Sequence, residues 1–300
     1  MPEGFWGQWP NRTFVSMLSI DPATIPTPQL HGYLLGAVAP RPICFASTVS
    51  SDGQVNLSPF SFFNVFSANP PVMIFSPARR VRDNTTKHTL ENVQATGEVV
   101  INIVSYDMVQ QMSLSSTEYP QGVNEFEKAG FTELPSDLVQ PPRVAEAPVQ
   151  FECKVNEVIP LGAEGGAGNL IIAQVVRLHV NEGILDEQGK IDPVKLDPVS
   201  RLGGNWYGRS KLGLFEVPKP LRTLGIGVDS LPESVRQSTI LTGNDLGRLG
   251  NLEALPEVAA SDISTENMSL EDVHKKAQLL IGQDRVEEAL ALLLKEENTE

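Results

Sequence analysis

Residues 41–76 (RPICFASTVSSDGQVNLSPFSFFNVFSANPPVMIFS) constrain the fold more than any other part of the chain. Apolar and small residues alternate over 43–50, which is the period of a half-buried strand. Ser51, Asp52 and Gly53 follow, and these residue types accept the positive φ that a tight hairpin turn needs. A partner strand is expected over 56–66, with Pro59 marking a bulge or a sheet edge because proline has no N–H to give a ladder. Pro70 and Pro71 stop that strand, and 72–76 reads as a third. Short, tightly connected strands with this content suit the wall of a β-barrel.

The rest of the chain extends the pattern. Residues 98–104 (EVVINIV) read as a strand, and 149–160 and 169–180 as two long ones. Helical content is expected over 27–36, where Thr27 precedes Pro28, and over 79–97, with Thr85 or Thr86 as cap and Gly97 as stop. Two shorter helical pieces, DMVQQMS and NEFEKAG, fall between 106 and 130. Six or more strands, few helices and no βαβ repeat indicate an antiparallel barrel. Residues 1–30 form a polar, Pro-rich arm whose Trp6, Trp9 and Phe14 are expected to pack on the body or on a partner subunit. Beyond 225, Ser269 and Asp272 open a helix that places Val273, Ala277, Leu280 and Ile281 on one face, and a second helix presents Ala289, Leu290, Leu292 and Leu293. One such hairpin cannot bury itself, so it is expected to dock on the body or on another chain.

The formal charge of -14 is concentrated at one end: residues 226–300 carry 15 acidic and 6 basic side chains, and residues 1–225 carry 22 and 17. A nearly neutral body with an acidic tail argues against nucleic acid as a partner, since phosphate backbones require a basic face. No apolar run is long enough for a membrane span, and the first residues lack a charged segment followed by an apolar one, so a soluble, cytoplasmic protein is expected. Cys44 and Cys153 sit in apolar strands and read as buried reduced thiols. The four histidines show no metal-ligand spacing, and no Gly-x-Ser-x-Gly turn supports serine hydrolysis. Gly162, Gly165, Gly166 and Gly168 lie between two strands and not before a helix, so they read as a flexible hairpin loop and not as a dinucleotide site.

Arg79, Arg80, Arg82 and Lys87 form the most basic window, relieved by Asp83, where a helix should begin. Cations at a helix N-terminus make a natural phosphate site. Collinear with this window run Arg41-Pro42, Ala46-Ser47-Thr48-Val49-Ser50, Asp52-Gly53, Asn56 through Asn64, Pro70-Pro71, Lys87-His88-Thr89 with Asn92, and Arg201-Leu202-Gly203-Gly204 with Tyr207. This series, covering roughly 30–220, resembles the flavin reductase-like family with an FMN-binding split barrel, the flavoredoxin-like proteins.

The resemblance implies a mainly β, Greek-key-like split barrel with peripheral helices over 31–224, and the residues themselves add an arm over 1–30 and a C-terminal helical extension over 225–300, whose tail lies outside the resemblance. It further implies FMN as cofactor and NAD(P)H and a small electron acceptor as partners, in a homodimer with the flavin at the subunit interface. An isoalloxazine ring needs hydrogen-bond donors and an apolar wall. Backbone N–H groups around Ser47, Thr48 and Val49 and around Ser61, Phe62, Phe63 and Asn64 are the candidate donors, with Phe62 or Phe63 as the wall. Lys87 and Thr89 resemble the FMN phosphate contacts, with Arg80 or Arg82 reaching the same phosphate or that of the nicotinamide; His88 stands where the family pattern has aspartate. Arg201, Gly204 and Tyr207 are expected to cover the site from the partner chain. The absence of a Rossmann unit suits a nicotinamide that stacks directly on flavin. Two other readings stay open at this point, an electron carrier that does not oxidise NAD(P)H and a scaffold acting through the C-terminal helices.

Overall fold

A tight turn starts the barrel. In the computed structural model, which describes residues 16–217, 224–256, 264–265 and 268–297, strands β1 (Cys44–Val49) and β2 (Val55–Phe60) pair antiparallel from Cys44↔Phe60 to Val49↔Val55. Gly53 closes the turn between them at φ 82°, a value that strains any residue with a Cβ. Trp6, Trp9 and Phe14 lie outside the described residues. The chain divides into two compact units, one spanning Ser19–Phe215 and one whose larger segment is Glu216–Glu300. The first unit takes in residues 19–30 as well as the strands.

Further strands in that unit are β3 (Phe63–Ala68), β4 (Pro71–Phe75), β5 (Glu98–Ile103), β6 (Glu133–Leu134), β7 (Arg143–Val144), β8 (Val149–Pro160), β9 (Asn169–Val180), β10 (Val199–Arg201) and β11 (Tyr207–Arg209). Seven of them form one antiparallel sheet in the order β2-β1-β5-β8-β9-β4-β3. Its two end strands, β2 and β3, are consecutive in the chain, joined only by Ser61 and Phe62. The sheet therefore curls back on itself and is split at one seam, a split β-barrel. The strand expected over 56–66 is thus two strands, and the break falls at Ser61-Phe62 and not at Pro59. Proline is tolerated where it stands because β2 is an edge strand, paired on one side only.

Alternation along β1 separates two cores. Cys44 and Ala46 face the barrel interior with Met73, Phe75, Val99, Ile101, Cys153, Ile171 and Ala173. Ile43 and Phe45 face outward, against Leu57, Val104, Met108, Met112 and Phe126. The rings of Phe45 and Phe131 meet edge-on at 5.3 Å. Full burial of a side chain such as Phe45 or Phe75 contributes about 2–3 kcal/mol, which is why the outward face of a barrel strand also has to be covered. The covering comes from α3 (Val109–Leu114) and α4 (Glu125–Ala129); the unit's other helices are α1 (Thr27–Ala37), α2 (His88–Thr96) and α5 (Pro193–Leu196). Of these, α2 sends Leu90 and Val93 into the interior core. Both cysteines are buried free thiols, with burial pushing their pKa values up.

Helix α2 starts later than its threonines suggest. Thr85 donates its hydroxyl to Asp83 Oδ1 (2.6 Å) and accepts from Arg80, Thr86 donates its own to Glu91, and both stand before the N-cap position. Lys87 takes the N-cap position without a side-chain cap, and Gly97 ends the helix at φ 69° as expected.

In the second unit the helices are α6 (Glu233–Arg236), α7 (Gly243–Gly250), α8 (Leu270–Gly282) and α9 (Val286–Glu297). Thr242 and Asp245 cap α7 reciprocally, and Ser269 accepts the Asp272 N–H at the start of α8. The apolar faces of α8 and α9 close on Leu231, Val235, Leu241, Leu246 and Leu249. The hairpin therefore finds its cover within its own segment, which corrects the expectation that the barrel or another chain must supply it. Among the described residues no helix is long and apolar enough to cross a membrane.

Candidate functional site: a cation cluster near an open barrel corner

Four side-chain groups carry the candidate chemistry, and the fold treats them differently. The first is the corner that joins β2 to β3. Phe62 is 39 % exposed there, its carbonyl accepts from the Ser76 N–H (2.9 Å), and His31 meets its ring edge-on. Phe63 is half-buried against the interior core, whereas Asn64 is exposed and its Oδ1 accepts the Val65 N–H. Ser61 Oγ lies 3.4 Å from the Nε of Arg41, which donates to it.

Arg41 is buried and works as a clamp. Its guanidinium also donates to the carbonyls of Leu35 (2.6 Å), Val38 (2.5 Å) and Leu202 (3.1 Å), and its backbone exchanges two hydrogen bonds with Arg201. The second group is thereby tied to the first. Arg201 and Tyr207 pair across the β10–β11 hairpin, with the Arg201 guanidinium 4.5 Å from the centre of the Tyr207 ring. Through Arg41 the hairpin is anchored beside Ser61 of the same chain, so this connection needs no partner subunit. Close by, Tyr207, Val199, Tyr106, Val109 and Arg209 line a cavity of about 180 Å³. Arg209 stacks over Tyr106 at 3.6 Å and is held by Asp197, whose pKa falls to about 2 through the Arg209 hydrogen bond and then Lys211.

The third group is the basic segment, which follows β4 directly. Arg80 is four residues beyond Ser76, so the two lie within roughly 14 Å of each other along the chain. A compact turn shapes this segment: the Arg80 N–H donates to the Thr85 carbonyl, the Asn84 N–H donates to the Arg80 carbonyl, and Asn84 sits at φ 56°. Arg79 turns away and donates to Asn84. Arg80, Arg82 and Lys87 instead converge on one carboxylate, that of Glu118: Arg80 Nε to Oε1 at 3.0 Å, Lys87 Nζ to Oε1 at 3.4 Å, and Arg82 Nη2 to Oε2 at 3.1 Å. The Arg80 hydrogen bond, followed by the charges of Lys87 and Arg80, outweighs desolvation and holds the Glu118 carboxyl below its ordinary range. The glycine loop expected to be flexible is docked here. The Arg79 N–H donates to the Ala167 carbonyl and the Gly166 N–H to the Arg79 carbonyl, and a Cβ at Gly165 would lie 3.0 Å from the Arg80 carbonyl. Glycine allows that approach.

The fourth group is internal. Ser47, Thr48, Val49 and Thr89 are buried, Thr89 at 1 % exposure. Thr48 Oγ1 accepts from Asn92 Nδ2 and Thr89 Oγ1 accepts from Asn56 Nδ2, both at 3.0 Å, which fastens α2 to the β1–β2 end of the sheet. Ser47 is paired to strands on both sides, whereas Thr48 and Val49 are paired to β2 alone. The hydroxyl of Thr89 is thus engaged by a neighbour and does not line the open cluster with Lys87.

Sequence reasoning passed over Glu118, Arg41 as a clamp, and the buried acids. Glu125 accepts the Leu57 N–H, and burial raises its pKa. Glu152, on β8, shows the opposite balance: burial would raise its pKa, but the Asp137 amide, His179 and the Leu138 amide hold it below the ordinary value. Asp137, Glu152 and His179 bring ligand-type atoms within 4.8 Å of one another. With Glu152 already accepting from two amides and facing His179 Nε2, this trio is read as a brace for 137–138.

The comparisons agree with this geometry. The family model for the flavin reductase like domain matches residues 36–195. An uncharacterized protein of Halalkalibacterium halodurans is 41 % identical over 194 residues, 64 % of this chain and 92 % of the relative. The crystal structure of nitrilotriacetate monooxygenase component B from Bacillus cereus is 33 % identical, with a TM-score of 0.64, and the alignment covers 68 % of this chain and all of that one. A protein of Shewanella frigidimarina with a split barrel domain is 25 % identical, with a TM-score of 0.57, and covers 66 % of this chain and 95 % of its own. With its sheet order, its open corner and a match over more than half its length, the chain belongs to the flavin reductase-like family.

Proposed function

We propose that the protein is an FMN-dependent oxidoreductase that takes hydride from NADH or NADPH and passes the electrons to a small acceptor, working as a homodimer. The observation that carries this reading is the convergence of Arg80, Arg82 and Lys87 on a single carboxylate at the start of α2. A carboxylate gathered in this way is a stand-in for a phosphate: its oxygens sit where charge-assisted bonds from oriented cations are available. FMN ends in a phosphate monoester, so the donor set fits it better than it fits riboflavin.

Bound FMN would supply the hydride-accepting ring, so that no side chain has to move a proton in that transfer. The chain's own residues bind and orient. Arg80 is preset by donating to Thr85 Oγ1 (2.9 Å) and to the Thr86 carbonyl, while Lys87 adds a point charge at a helix start with no side-chain cap. Phe62 offers an apolar wall, with Ser61, Phe63 and Asn64 around it; Arg201 and Tyr207 are the candidate cover. Thr48, Thr89, Asn56 and Asn92 position Lys87 by fixing α2, a role that suits buried side chains. The dimer is supported by Val65 and Phe66, 62 % and 64 % exposed on the terminal strand β3, since apolar side chains on an open edge call for cover. The Bacillus cereus neighbour's name, a component of a monooxygenase, suits a protein that hands its electrons on.

Titration of the purified protein with FMN, followed by addition of NADH or NADPH, tests the reading. Flavin bands near about 370 and 450 nm on the protein, then nucleotide consumption, are expected. Colourless protein that takes up no FMN overturns the cofactor assignment. Uptake without consumption of either nucleotide leaves an electron carrier, and a monomer in sedimentation overturns the dimer.

A further inference from the structure

Glu118 sits on the segment between α3, which ends at Leu114, and α4, which begins at Glu125. The backbone bonds of this segment run locally: Ser115 N–H to Gln111 O, Ser116 N–H to Ser113 O, Thr117 N–H to Leu114 O, and Val123 N–H to Pro120 O. What ties its middle to the basic segment is the Glu118 carboxylate. Together with Arg80, Lys87, Asn56 and Ser58, residues 116–119 line one small polar depression. The Glu118 side chain is 40 % exposed, so it can leave the cluster without crossing packed protein.

Charge decides what happens when a phosphate enters. Arg80, Arg82 and Lys87 bring three positive charges, and Asp83, paired with Arg82, and Glu118 bring two negative ones. A phosphate monoester carries about −1.5 to −2 at neutral pH, so adding it with Glu118 in place would set two anions against the same donors. Arg80 Nε and Lys87 Nζ cannot serve both at full strength.

We propose that Glu118 is an internal anion that occupies the cation cluster until a phosphate displaces it, so that uptake of FMN releases residues 116–119. This rests on the FMN reading above, and its test separates the two. Ion pairs at this exposure are individually weak, so the competitor has to be tuned to yield.

The test combines the Glu118→Gln variant with hydrogen exchange on the full chain. FMN affinity of the variant, read by quenching of flavin fluorescence, is expected to tighten about three- to tenfold, the span that modest exposed ion pairs provide. Riboflavin affinity should not change, because riboflavin has no phosphate. In the wild-type protein, amide exchange at residues 116–119 is expected to rise when FMN is added. Unchanged or weakened FMN binding in the variant overturns the proposal, as does an equal gain for riboflavin. Exchange at 116–119 that falls or holds steady on FMN addition overturns displacement, even if the variant binds more tightly. If the wild-type protein takes up no FMN, the cofactor reading fails by itself, and inorganic phosphate replaces FMN in the exchange experiment. A rise at 116–119 with phosphate then keeps Glu118 as a displaceable anion, and no rise removes it.

Discussion

In the Ser19–Phe215 unit the strands and helices bury Asn56, Asn92, Asn102, Gln150, Glu125 and Glu152 alongside their aliphatic core, whereas the described residues of Glu216–Glu300 bury leucine, valine, isoleucine, alanine, one glycine and a single histidine. Each buried amide in the barrel has partners. Asn102 donates to the Phe45 carbonyl (2.9 Å) and accepts the Val144 N–H (3.0 Å), and Gln150 donates to the carbonyls of Val144 and Ala147. Such networks hold irregular segments in one place, which hydrophobic contact alone does not do, because apolar burial is non-directional. The helical unit meets a simpler demand: amphipathic faces, capped ends and one shared core. The proposed function falls in the unit where buried amides are fixed by pairing and three cations are gathered at the surface.

The largest effect is expected in the helical unit. Leu290 is fully buried in its core, and Leu290→Ala should cost about 3 kcal/mol through lost burial and the cavity left behind. Hydrogen exchange would show it as lost protection in α8 and α9 with β1 and β5 unchanged. Equal loss in β1 and β5 would break the division between the units. A smaller effect, about 2 kcal/mol, is expected for Asn102→Ala, which strands a buried carbonyl and a buried N–H. Chemical denaturation of the barrel reads it. A neutral result would mean that the polar interior is incidental to the barrel, and the contrast would then carry no functional meaning.

Much of this was legible in the chain. The long strands β8 and β9 read directly because β-branched and apolar residues recur among polar ones along both, and Pro160 with the glycines of 162–168 marks the turn between them. The basic run 79–87 was legible as a cluster of cations because its residues are neighbours. Glu118 was not: its partners are 31 to 38 residues away, and the pairing exists only once α3 and α4 are placed. The split at Ser61-Phe62 was hidden for a related reason. Both halves of 56–66 carry strand-like content, and the corner is set by barrel closure, which no local pattern encodes. Thr89 was the right residue type beside Lys87, but its place in the first turn of α2 turns it inward onto Asn56. The α7 cap, by contrast, was available in sequence as Thr242 followed three residues later by Asp245.

The smallest and most specific effect concerns the one polar side chain that the helical unit buries among its described residues. His274 Nδ1 lies 2.8 Å from Ser238 Oγ, and that oxygen already accepts the N–H groups of Ile240 (3.1 Å) and Leu241 (3.0 Å). With its lone pairs engaged, the serine hydroxyl directs its proton to Nδ1, which assigns the ring as neutral with its own proton on Nε2. Protonating Nδ1 would set two donors face to face, and burial already lowers the His274 pKa from the ordinary 6.5. A histidine whose pKa is lower folded than unfolded lets the unfolded chain bind the proton first, so stability is intact above pH 6.5 and declines as pH falls below it. Asp272 and Asp245, both held below the ordinary aspartate value, stay ionised near the top of that window, and no other histidine lies in Glu216–Glu300. Exchange in α8 and α9 should therefore quicken between pH 7.5 and 5.5 relative to the intrinsic rate, and His274→Gln should flatten the dependence. A slope that persists in His274→Gln would move the sensitivity to another group and leave the helical core with no titrating weak point.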